Sequence, residues 1–78
     1  MSHVYDYEFD GTAFSCPLLL THTKKEIEKI PARKILKIIT KDPSAIIDFK
    51  AYTSITTHTL ITYEKKEESF YFYIKKGN

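Results

Sequence analysis

Residues 16–43 read CPLLLTHTKKEIEKIPARKILKIITKDP, and this stretch decides the fold. It carries two helix-start signals with a strand between them. Pro17 suits the first position of a helix, where a missing N–H costs nothing. From there Leu20, Thr23, Ile27 and Ile30 recur at 3-4-3 spacing, which predicts one buried stripe on a helix over residues 17–30. Pro31 closes that helix, because the residue before a proline avoids the helical region. Residues 35–40, Ile-Leu-Lys-Ile-Ile-Thr, form a short apolar run that reads as a buried strand. Asp42-Pro43 then repeats the start signal, an aspartate N-cap followed by proline in the first helical position.

Working outward, residues 4–10 are rich in aromatic and β-branched side chains and alternate apolar with acidic from Tyr5 to Asp10. That pattern reads as a half-buried strand, ended by Gly11. The second helix extends to about residue 53 and buries Ala45, Ile46, Phe49 and Tyr52. Residues 57–63 and 69–74 are strand-like. Between them Glu64-Lys65-Lys66-Glu67-Glu68 lacks the Asn-Gly or Asp-Gly pair of a tight turn, so a longer charged loop is expected. The element order β-α-β-α-β-β, with right-handed crossovers, places both helices on one face of a four-stranded mixed sheet. The expected fold class is an α/β (α+β) two-layer sandwich, with residues 1–78 as a single domain.

The 78 residues carry a formal charge of +2, too weak to name a partner. A chain of this size buries only about 60% of its unfolded surface, so a surface site is expected rather than a deep cavity. One cysteine excludes an internal disulfide and with it a disulfide-stapled scaffold. No signal peptide is legible at the N-terminus, and runs such as Leu18-Leu19-Leu20 are too short to span a bilayer. A cytoplasmic location is the expectation.

Cys16 stands immediately before Pro17, where the first helix begins. Unpaired backbone N–H groups and the positive end of the helix dipole favour an anion there. A thiolate or persulfide would be stabilised, with the thiol below its reference pKa of about 8.5. Proline at the next position stiffens the turn and aims the sulfur. The competing reading is a small buried hydrophobe with no chemistry.

Cys16-Pro17-Leu18-Leu19, Lys25, Asp42-Pro43, Asp48, His58 and the ending Tyr73-Ile74-Lys75-Lys76-Gly77 resemble the TusA/SirA-like sulfur-carrier family. The resemblance covers residues 7–77. It implies a fold like the C-terminal domain of a bacterial translation initiation factor. It also implies a persulfide on Cys16, supported by Pro17, Lys25 and Asp42. Its partners would be a cysteine desulfurase or rhodanese-like sulfur donor and a downstream acceptor protein. The acceptor's pathway would be tRNA thiolation, molybdenum-cofactor maturation or sulfur oxidation. Such a protein is a sulfurtransferase-like carrier rather than a stand-alone enzyme, and the exchange needs no cofactor. Three departures stand out. Leu19 replaces the second proline of the Cys-Pro-x-Pro signature, which implies looser presentation of the sulfur. Arg33 occupies a turn position where glycine is usual. Ile55-Thr56-Thr57 is not typical of the family.

Other constellations are weaker. His3, His22 and His58 with Cys16 lack paired metal-ligand spacing, so no metal site is expected. His22 falls six residues after Cys16, which argues against a Cys–His nucleophile pair. Asp42 reads as a helix cap or as a contact for a basic partner residue. Lys24, Lys25 and Lys29 read as a solvated helix face or, for Lys25, as a positive field beside the thiolate. Along Phe70-Tyr71-Phe72-Tyr73 one alternate pair should be core. The other pair admits base stacking, as in RNA-binding sheets. A nucleic-acid or protein interaction module with a structural Cys16 is therefore the alternative function, although no concentrated basic face accompanies it and direct nucleic-acid contact is not expected.

Overall fold

The computed structural model describes residues 4–15 and 17–77. Six elements run in the expected order: β1 (Tyr7–Asp10), α1 (Leu18–Lys29), β2 (Ile35–Thr40), α2 (Ala45–Ser54), β3 (Thr59–Lys66) and β4 (Ser69–Lys75). The strands form one mixed sheet in the order β1-β2-β4-β3. β1 runs parallel to β2, while β4 is antiparallel to both β2 and β3.

Alternation along β2 decides which face the helices cover. Leu36, Ile38 and Thr40 are buried, and the residues between them are half-buried. In the register with β4 these three lie opposite Ile74, Phe72 and Phe70. The same core takes Leu19 and Ile27 from α1 and Ala45 and Phe49 from α2. Both helices therefore pack on one face. Phe49 meets Phe72 edge to face, with ring centroids 4.7 Å apart. The pair from β4 that enters this core is Phe70 and Phe72. Tyr71 and Tyr73 take the opposite face, where Lys37 lies over the rings of Tyr5 and Tyr71 and pairs with Glu8.

Two local expectations need correction. The buried stripe of α1 is Leu19, Thr23 and Ile27, continued by Ile30, so Leu19 and not Leu20 leads it. Spacings of three and four both fit one helix face. What selects Leu19 is Gly11, where an added Cβ would sit 2.5 Å from Leu19 Cδ1. The missing side chain of Gly11 is the space Leu19 fills, and Leu20 packs at the flank. The hairpin also differs. β3 extends to Lys66 and β4 begins at Ser69, with Lys66 opposite Ser69, so the connection is only Glu67-Glu68. Glu67 itself takes a positive φ of 56°, supplying the backbone geometry for which glycine or asparagine would be usual.

Both helices start slightly after their expected start signals, α1 at Leu18 and α2 at Ala45. Asp42 Oδ1 accepts hydrogen bonds from the N–H (2.9 Å) and hydroxyl (2.7 Å) of Ser44, and the Asp42 carbonyl accepts from the Ala45 N–H at 3.1 Å. That is an aspartate turn leading into α2, not the expected cap: α2 begins at Ala45 with Ser44 as its N-cap and no side-chain cap hydrogen bond, so Asp42 and Pro43 stand just before the helix.

Candidate functional site

β1 and β2 are parallel, so the loops that leave them emerge at the same end of the sheet. In open α/β sheets that end gathers ligand and reaction sites. Thr12, Ala13, Phe14 and Ser15 of the first loop and Lys41 and Asp42 of the second line a shared cleft of about 330 Å³.

The first loop is built by local hydrogen bonds. Gly11 donates its N–H to the Ile39 carbonyl at 2.7 Å, continuing the strand pairing, and Phe14 donates to the Gly11 carbonyl at 3.0 Å. Asp10 Oδ1 accepts from the Thr12 N–H (3.0 Å) and the Thr12 hydroxyl (2.7 Å). These two bonds, the hydroxyl's first, hold the Asp10 carboxyl below its usual pKa, and the charge of Lys41 acts in the same direction.

Cys16 lies outside the described residues. Its chain neighbours Ser15 and Pro17 are both exposed. The Leu19 N–H donates to the Ser15 carbonyl at 2.9 Å, and the Thr21 N–H donates to the Pro17 carbonyl at 3.2 Å. α1 begins at Leu18, and Pro17, expected as its first residue, is instead its N-cap, with φ −92° and ψ −3° and no side-chain cap hydrogen bond. Leu19 is a core side chain, 2% exposed, whose N–H is engaged in that first turn.

The residues singled out in the sequence separate into two groups. Asp42 joins Ser15 in the cleft, beside the chain that enters Cys16-Pro17. Lys25 does not. It is exposed, and eight residues beyond Pro17 correspond to about 12 Å of helix rise. That exceeds a Debye length of about 8 Å at physiological ionic strength, so an exposed charge there acts weakly on the start of the helix. Lys41 is the cation that lines the cleft, and sequence reasoning passed over it. Its only signal was its position between the end of an apolar strand and the Asp-Pro pair.

His58 is at the opposite end of the sheet, just before β3, which runs parallel to β2. Its Nδ1 accepts the Gly77 N–H at 3.0 Å, and its ring lies 5.6 Å from that of Tyr52. A larger cleft, about 430 Å³, lies there between α2 and β3 and includes His58 and Lys50. It is at the opposite end of the sheet from the cleft that Ser15 lines. Among the described residues no cluster of three His, Cys, Asp or Glu side chains is arranged to hold a metal ion, and no helix is long and apolar enough to cross a membrane.

The family model described as sulfurtransferase TusA matches residues 7–76. The chain belongs to the TusA family. It is similar to the sulfur carrier protein TusA of Allochromatium vinosum, with 31% identity over 73 residues, 94% of this chain and 96% of the relative. The sulfur carrier protein TusA of Pseudomonas syringae pv. syringae is 28% identical over 71 residues, covering 91% of this chain and 84% of the relative. The TusA match includes Cys16-Pro17, Asp42-Pro43 and His58, together with both loops of the cleft.

Proposed function

We propose that this chain is a sulfur carrier whose Cys16 accepts a sulfane sulfur as a persulfide and relays it to an acceptor protein. The observation that carries the reading is the TusA match over residues 7–76, with Cys16-Pro17 within it. In the first step the Cys16 thiolate attacks the terminal sulfur of a donor persulfide. The donor S–S bond breaks, the donor leaves as a thiolate, and a new S–S bond forms on Cys16. In the second step an acceptor thiolate attacks the outer sulfur and Cys16 departs as a thiolate. Both are exchanges of one S–S bond for another, with no external oxidant and no cofactor.

Several features support delivery between proteins. Ser15 and Pro17, on either side of Cys16 in the chain, are exposed, which supports a reading in which a partner reaches this segment. Leu18 and Ile47, in the first turns of α1 and α2, are 57% and 72% exposed. Those first turns are at the cleft end of the sheet, and apolar side chains there suit a protein partner. Lys41 supplies positive charge to the cleft, with Pro17 and Asp42 as supporting residues and Lys25 as a weaker one. A cysteine desulfurase or rhodanese-like protein is the donor, an acceptor such as a tRNA-thiolation protein follows, and the setting is the cytoplasm. Incubation with a desulfurase and cysteine should add the mass of one sulfur atom to the native chain and none to Cys16→Ser, whose fold should be unchanged. A native chain that gains no sulfur from desulfurase, rhodanese or polysulfide would overturn the reading.

A further inference from the structure

Three aromatic rings connect β1, the cleft loop and α1. Phe14, in the loop, stacks against Phe9 of β1 with centroids 6.2 Å apart and planes 22° apart. On α1 the His22 ring lies 4.0 Å from the Phe14 ring, with planes 23° apart. Both Phe14 and His22 are half-buried. Phe14 directly precedes Ser15, whose carbonyl accepts the Leu19 N–H of α1, and it lines the cleft.

Building on the sulfur-carrier reading, we propose that His22 is a positioning residue that clamps Phe14 and thereby fixes the segment delivering Cys16 to the start of α1. The arrangement works like a hydrophobic staple, in which the residue before a helix cap packs against a side chain inside the helix and fixes the entry angle of the chain. Here the two rings stand three residues before and five residues after the Pro17 cap, a longer span than in the usual staple. The polar contacts of the loop, Asp10 with Thr12 and Phe14 with Gly11, tie it to itself and to β1. The Phe14–His22 stack ties it to the helix one turn beyond the Leu19 contacts with Gly11 and Ser15. His22 works through an aromatic ring and not by proton transfer to sulfur. An aromatic replacement should therefore preserve its effect.

The test compares His22→Ala, His22→Phe, Phe14→Ala and the double variant Phe14→Ala/His22→Ala. Each is checked for fold by circular dichroism. Each is then assayed at pH 7 for iodoacetamide alkylation of Cys16 and for sulfur uptake from inorganic polysulfide. Loss of the clamp disorders the helix entry and lowers the fraction of reactive, aligned thiolate. His22→Ala should slow alkylation at least threefold, His22→Phe should stay within twofold of the native chain, and the double variant should be no slower than Phe14→Ala alone. The proposal is overturned if His22→Ala alkylates within twofold of the native rate or faster. It is also overturned if His22→Phe is as slow as His22→Ala, or if the two single losses multiply in the double variant. Alkylation does not depend on sulfur transfer. A native chain that refuses polysulfide sulfur while the variants follow the predicted alkylation pattern would defeat the carrier reading and leave the clamp standing.

Discussion

Arg33 shows how a single backbone angle accounts for an unusual residue choice. Its φ is 69°, in the left-handed region that side chains with a Cβ avoid. Its N–H donates to the Lys76 carbonyl at 2.9 Å, so the turn cannot relax without breaking a contact with the chain after β4. Glycine takes this conformation without the steric cost but loses more freedom on folding. Arg33→Gly should raise stability by about 0.5–1 kcal/mol in urea unfolding, and Arg33→Ala should not. A gain in Arg33→Ala equal to that in Arg33→Gly would mean that the arginine side chain, and not the angle, is at fault. The unusual Arg33 was legible in the sequence, but its angle was not. Glu67 repeats the lesson less visibly. Nothing in Lys66-Glu67-Glu68-Ser69 announces a two-residue turn, because the signal for one is a glycine or asparagine that the chain replaces with a strained glutamate.

At the scale of elements, α1 and the loop before it depend on the fit between Leu19 and Gly11. An added methyl at Gly11 would overlap Leu19 Cδ1 and crowd the Ile39 carbonyl at 3.0 Å. Gly11→Ala should therefore cost about 1–3 kcal/mol. Leu19→Ala should cost about 2–5 kcal/mol, since a fully packed side chain is lost. If the two side chains compete for one space, Gly11→Ala should cost much less in a Leu19→Ala background, as measured by a denaturant double-mutant cycle. Equal costs in both backgrounds would show that the loop backbone, and not Leu19, limits Gly11. Leu19→Pro faces a further obstacle, because the Leu19 N–H bond to Ser15 would disappear with the side-chain packing. The elements themselves were legible because prolines, the Asp42 turn and apolar spacing each act within a few residues. The choice of Leu19 over Leu20, the place of Lys41 in the cleft and the Phe14–His22 stack were not. Each depends on a residue from a different element, and spacing along one element carries no information about it.

Over the whole molecule, the segment after β4 ties distant parts together. The Lys76 ammonium reaches the carbonyls of Ile30 (2.8 Å) and Glu28 (3.2 Å) at the C-terminal end of α1, where a cation is favoured. One residue on, the Gly77 N–H is received by His58 Nδ1, so that nitrogen must be unprotonated. Burial, with the charge of Lys76 adding to it, holds His58 below its usual pKa of 6.5. The folded state therefore prefers neutral His58. Its contribution to stability is fully present above pH 6.5 and is lost as pH falls through the depressed folded value. Stability of the native chain should decline on acidification through this window. His58→Asn, which does not titrate, should show a flatter pH dependence there in urea unfolding. An unchanged slope would assign the decline to other groups.

The strand order β1-β2-β4-β3 has a consequence for a chain made from its N-terminus onward. β4, the fourth strand to be synthesised, fills the slot between β2 and β3 and brings Phe72 and Ile74 to the core. While the ribosome is still adding residues before Ser69, β2 lacks one of its two neighbours and β3 has no partner strand at all. Secondary structure can begin to form on the emerging chain, but the sheet can close only after translation has passed β4. Folding of the sheet therefore waits for β4, and a nascent chain halted before it leaves the unpaired backbone edges of β2 and β3 open to chaperones.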